Sequence, residues 1–172
     1  MLYKTILIDP PWPITMTGQW SRHTSPKSLP YPTMSIEEIE RLPIADLSDV
    51  GCHVWLWTTN QFLHAGFELL ESWGIKYMNA ITWVKPSGFG AWWINRTQTC
   101  LFGYKDQCIC NERYKPNVFC ANAARHSEKP DSFYSLIESV SFAPRLELFA
   151  RRRRAGWHCW GNEVASDIQV AV

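Results

Sequence analysis

The chain has 172 residues, 46% of them hydrophobic and 14% aromatic, with a formal net charge of +1. That length and apolar content suit one domain with a real core and exclude a disordered or low-complexity chain. The near-neutral balance excludes a broad electrostatic grip on nucleic acid, so any such partner must meet a local patch, of which the four arginines at 151–154 are the obvious candidate.

The first element is expected at Ile6, Leu7 and Ile8, an apolar run of the kind buried inside a parallel sheet. Asp9, Pro10 and Pro11 stop it in a stiff, extended turn just past the strand's carboxyl end, because proline donates no ladder hydrogen bond and restricts the residue before it. Residues 13–32 read as a polar loop over that end. A helix follows, with Ser35 as cap and Glu38 three later as in a capping box, ending at Pro43. A second buried strand is expected at 52–59, a helix at 61–74 stopped by Gly74, and a third strand at 77–85, the strands forming a parallel pair with a crossover. Residues 86–96 read as a loop, 99–105 as a strand, and 117–121 as a shorter one. The segment 129–140 carries Phe133, Leu136, Ile137 and Val140 on one helical face, and strands at 145–151 and 156–163 close the chain. This alternation predicts an α/β fold, a twisted and largely parallel sheet with helices on both faces, in a single domain over residues 1–172.

No apolar run approaches the roughly 20 residues of a membrane helix, and the short apolar start before two prolines does not read as a signal peptide. The expectation is a cytoplasmic protein with no membrane partner. Cys52, Cys100, Cys108, Cys110, Cys120 and Cys159 show no C-x-x-C spacing, and the C-x-C at 108–110 has no matching second half. Reduced buried thiols are therefore expected and no metal site. His23, His53 and His64 read as structural. Trp92 and Trp93 read either as substrate-stacking or as packed on the sheet.

The chemistry concentrates in "DPPW", residues 9–12. The carboxylate of Asp9 and the carbonyl of Pro10 are two acceptors fixed in direction by a rigid backbone, which suits an NH2 group. An exocyclic amine on a base is a weak nucleophile because its lone pair is delocalised into the ring. Accepting hydrogen bonds from both of its N–H groups concentrates that lone pair and aligns it with an electrophile. Pro11 would fix the turn, and Trp12 would offer a platform for the extruded base. Chance places a motif of this form on the order of once in two hundred chains of this length, which favours a functional reading over a proline-rich turn.

With "DPPW" come "PYPTMS" (30–35), "LWTT" (56–59), "WVK" (83–85), "HSEKPDSFY" (126–134), "LELFAR" (146–151) and "WGNE" (160–163), in order along almost the whole chain. Together they resemble the DPPW family of N(6)-adenine methyltransferases, which includes the catalytic subunit of the eukaryotic mRNA methyltransferase and bacterial and phage members. The resemblance implies a Rossmann-like methyltransferase domain of permuted motif order, with S-adenosylmethionine as donor. It implies that Asp9, Pro10 and Trp12 hold the adenine, that Tyr31 closes over it, and that Lys85 lines the acceptor pocket. It assigns Lys129 to the cofactor carboxylate, Arg151 to the cofactor, and Asn162 and Glu163 to its ribose. The chain begins immediately before the first strand, so Ile8 and Asp9 are expected to supply part of a cofactor contact that an upstream segment makes in longer relatives. The arginine run departs from the smaller side chains found there in relatives of the mRNA enzyme. The function expected is methylation of adenine N(6) in nucleic acid, DNA ahead of RNA, with a homodimer as candidate assembly. RNA or free-nucleotide acceptors, and a noncatalytic nucleic-acid-binding partner of the same fold, are the alternatives.

Overall fold

The computed structural model describes residues 1–14, 32–90, 92–122 and 129–170. Tyr31, His23 and most of the loop expected at 13–32 lie outside them, as do residues 123–128. In chain order the elements are β1 (Tyr3–Ile8), α1 (Ile36–Glu40), α2 (Ile44–Leu47), β2 (Ser48–Thr58), a 3-10 turn (Asn60–Phe62), α3 (Leu63–Ser72), β3 (Lys76–Phe89), β4 (Asn95–Tyr104), β5 (Val118–Cys120), α4 (Asp131–Val140), β6 (Arg145–Leu148) and β7 (Trp157–Trp160).

The strands form one seven-stranded sheet in the order β5-β3-β4-β2-β1-β6-β7. All run the same way except β4, which is antiparallel to both β2 and β3. The expected β2–β3 pair does share one direction across an α3 crossover, but β4 is inserted between its members. The expected loop at 86–96 is also corrected: β3 runs on to Phe89 and pairs with Asn95. Pro86 is tolerated because the register shifts between Val84 and Phe89, so no ladder bond is asked of its missing N–H. Gly88 is needed here because a Cβ would sit 2.1 Å from the Asn95 carbonyl oxygen.

β1 is buried along most of its length, between β2 and β6. One face of the sheet packs Ile6, Ile8, Val54 and Leu56 against Ile39, Leu69 and Leu70 of α1 and α3. The other packs Leu7, Trp55, Trp57, Trp83 and Phe102 against Phe133, Tyr134 and Ile137 of α4. Both faces are thus covered, which is why β1 and β2 read as near-continuous apolar runs. Ser35 caps α1 as expected, accepting from the Glu38 N–H while the Glu38 carboxylate accepts from the Ser35 N–H. Among the described residues no helix is long and apolar enough to cross a membrane.

Candidate active site

The parallel strands deliver their carboxyl ends to one rim of the sheet, the edge where open α/β sheets bind ligands. Asp9 leaves β1 there, Arg151 follows β6, Asn162 and Glu163 follow β7, and Lys129 stands just ahead of α4. A recess at this rim is lined by Asp9, Lys129, Tyr134, Glu147, Phe149, Arg151 and Arg152.

The corner at 9–12 is held by its own backbone. The Trp12 N–H donates to the Pro10 carbonyl at 2.9 Å, the Ile14 N–H to the Trp12 carbonyl at 2.7 Å, and the Met34 N–H to the Pro11 carbonyl at 2.9 Å. The Pro10 oxygen therefore already accepts one bond and keeps a second lone pair for a ligand. Trp12 differs from expectation. Its ring is only 4% exposed, stacked 5.2 Å from Phe62, and its indole N–H donates to the Trp57 carbonyl at 3.1 Å. Trp12 anchors the corner to β2, and its stacked face is not open to a base.

The Asp9 carboxylate is paired with the Lys129 ammonium, which is 6% exposed and lies 5.1 Å over the Trp57 ring. Burying an ammonium is costly unless a carboxylate meets it, so Asp9 and Lys129 hold each other at the rim. Lys129 thus faces Asp9 in this state rather than an open anion site. Behind them, Tyr134 donates to the buried carboxylate of Glu147 at 2.7 Å. Burial pushes the Glu147 carboxyl up to about 7, opposed by the Tyr134 hydrogen bond, with Asp9 pushing it further up.

Lys85 sits beside this recess rather than in it. It donates to Gln98 at 3.2 Å, lies 4.5 Å over Trp83, and lines a neighbouring recess with Val84, Pro86, Arg96, Cys120, Ala121 and Asn122. Burial lowers its pKa first and the Lys129 charge second, so the two recesses share one field. The Ile8 side chain is wholly buried on the α1/α3 face, so a cofactor could meet only its backbone. Arg151 pairs with Glu163 at 3.5 Å, joining two residues expected at the cofactor. Arg152 and Arg154 both donate to Asp131 in the first turn of α4, and Arg153 donates to Asp167 at 2.7 Å. Each arginine of the run thus has a carboxylate partner. Asn162 lies exposed in the turn after β7. Trp92 and Trp93, 94% and 80% exposed, do not pack on the sheet.

The MT-A70 family profile matches residues 3–163. The chain belongs to the MT-A70 family. It is 34% identical over 94% of its length to a rice protein named a probable N(6)-adenosine-methyltransferase MT-A70-like. It is 31% identical over 94% of its length to the human N(6)-adenosine-methyltransferase catalytic subunit METTL3, and 29% over 94% to the Mycoplasma type II methyltransferase M.MunI. The chain spans about a quarter of the length of the plant and human relatives, 23% and 28%, and 78% of the Mycoplasma one.

In this MT-A70 chain the site residues that sequence reasoning passed over are Glu147 and Tyr134. The available signal was a carboxylate in an apolar strand, "LELF", since a charge buried there needs a partner.

Proposed function

We propose that this MT-A70 chain transfers a methyl group from S-adenosylmethionine to N(6) of adenine in nucleic acid. The observation that carries the reading is the Asp9 carboxylate, fixed at the sheet's carboxyl rim and opening on a recess that offers both cations and carboxylates. That mixed set of charges fits the amino-acid end of the cofactor: Lys129, Arg151 and Arg152 for its carboxylate, Glu147 for its ammonium. When bound, the cofactor would supply an electrophilic methyl group on a sulfonium, keeping the C–S electron pair as it leaves as a neutral thioether. Asp9 and the free lone pair of the Pro10 carbonyl accept the two N–H bonds of the adenine amine and orient its nitrogen lone pair. The Asp9 charge stabilises the positive charge that develops on that nitrogen, and the surplus proton leaves to water. Asp9 must turn from Lys129 toward the base, which releases the Lys129 ammonium for the cofactor carboxylate. Trp12 and Pro11 keep the corner rigid during that exchange.

The base edge gripped is common to DNA and RNA, and DNA is the acceptor this reading carries first. The decisive experiment incubates the protein with labelled donor and separate DNA, RNA and nucleotide acceptors and maps the modified base. Asp9→Asn, which leaves an amide oxygen to meet the buried Lys129 ammonium, should remain folded and lose about 100-fold or more in turnover, the scale of removing one preorganised electrostatic group. Near-normal turnover of that variant overturns the mechanism. As assembly we propose a homodimer, because a chain of net charge +1 with paired arginines offers a single copy little grip on a duplex. Light scattering that finds full activity at single-chain mass refutes the dimer.

A further inference from the structure

The amino ends of the parallel strands, opposite the Asp9 rim, carry a second cluster of chemistry. His53 stands midway along β2, in register with Thr5 of β1. The segment after β4 brings Cys108 and Cys110 to it, and the three ligand atoms lie within 4.8 Å of one another. The two sulfurs are 3.8 Å apart. That is the spacing of two thiolates on a tetrahedral centre with metal–sulfur bonds of about 2.3 Å.

The imidazole supplies the independent observation. His53 is 0% exposed, its Nδ1 is 2.8 Å from the Ser141 hydroxyl, and its Nε2 is buried with no hydrogen-bond partner among the described residues. Buried polar atoms are rarely left so, and each such case asks for an explanation. Ser141 also accepts from the Trp55 indole at 3.1 Å and can accept from His53 as well. A proton on Nδ1 then leaves the Nε2 lone pair bare, which is the ligand form whose other nitrogen is held by an outer partner. The Met78 sulfur, 3.5 Å from the Cys108 sulfur, makes the surroundings softer still.

We propose that His53 Nε2, Cys108 and Cys110 form a binding site for a thiophilic d10 cation, with Zn2+ as its reference ion and a fourth position left to water. Binding replaces the two thiol protons, which pass to solvent, and gives the buried nitrogen its partner. Its effect is to staple the segment after β4 to the sheet and to the carboxyl end of α4, where two further bonds from Asn111, to Val140 and Ser139, already tie it. The site is remote in the sheet from the adenine corner, and its test is independent of methyl transfer.

The test uses the full chain, reduced with a phosphine, stripped with a chelator and titrated with Zn2+ against a chromophoric competitor. One equivalent should bind. Co2+ in its place should give thiolate charge-transfer bands and the intense visible absorption of a tetrahedral centre. Cys108→Ser and Cys110→Ser, at half-buried positions that the fold tolerates, should lose more than the roughly 100-fold that outer partners cost, and Ser141→Ala about tenfold. Hydrogen exchange across 105–117 should slow on adding Zn2+ to the wild type and not to Cys108→Ser. The proposal is overturned if the reduced wild type takes up no zinc, if the serine variants bind as it does, or if the two thiols protect only by pairing with each other as a disulfide.

Discussion

Glu147 shows how much a single buried carboxyl can impose on this site. Its folded pKa, about 7, lies above the ordinary value of 4.5, so the folded chain holds a proton that the unfolded chain has lost between those values. The protonated group's contribution to stability is full below about pH 4.5 and disappears as pH rises through 7, on the order of 3 kcal/mol. Glu147→Gln, neutral at every pH, should flatten that decline, and urea midpoints measured at pH 5 and pH 8 check it. An equal slope in the variant would place the titration elsewhere. Asp9 was legible in the sequence because two prolines after an apolar strand have few structural uses. Its pairing with Lys129 was not, since 120 residues separate them and only the α4 crossover brings them together. Trp12 misled for the same kind of reason: an aromatic beside a catalytic acid suggests a stacking face, but Phe62 and the Trp57 carbonyl claim the ring.

Among the elements, the hairpin of β3 and β4 and the turn after β7 carry the clearest expectations. At Gly161 a Cβ would meet the Ala150 carbonyl oxygen at 2.4 Å and its nitrogen at 2.8 Å, both backbone atoms that cannot swing aside. Gly161→Ala should cost about 1 to 3 kcal/mol and weaken donor binding, because Asn162 and Glu163 follow directly. Thermal melts and calorimetry with S-adenosylmethionine measure the two effects. The hairpin tip is the opposite case: Trp92 and Trp93 hold little of the fold, so replacing both by alanine should leave the melting temperature unchanged. If they stack on an acceptor strand, polynucleotide binding falls by about 1 to 3 kcal/mol per stacked base, read by fluorescence anisotropy. Helices α1, α3 and α4 and the presence of each strand could be read from periodicity, capping and glycine, whereas α2 and one end of most strands could not. The hairpin could not, because Pro86, Gly88 and Gly90 are loop signals that a register shift and a close backbone approach absorb.

For the molecule as a whole, the arginine run matters less as free charge than as a clasp. With Arg152 and Arg154 on Asp131, Arg153 on Asp167 and Arg151 on Glu163, little net attraction remains for a phosphate backbone. Acceptor binding should therefore depend shallowly on salt, with a log–log slope of about −2 or smaller in magnitude where each phosphate contact contributes about −0.9. A slope several times steeper would show that these pairs open on binding. The parallel class of the sheet was legible from alternation alone, whereas the position of β4 rested on contacts that no local pattern encodes. The strand order also has a consequence for synthesis of the protein. β1 leaves the ribosome ahead of the other six strands, yet its neighbours are β2 and β6, and β6 begins at Arg145. Until β6 emerges, the nascent chain carries an unpaired apolar edge, and until Lys129 does an acid without its lysine, so polypeptides released early should be both inert and prone to clump.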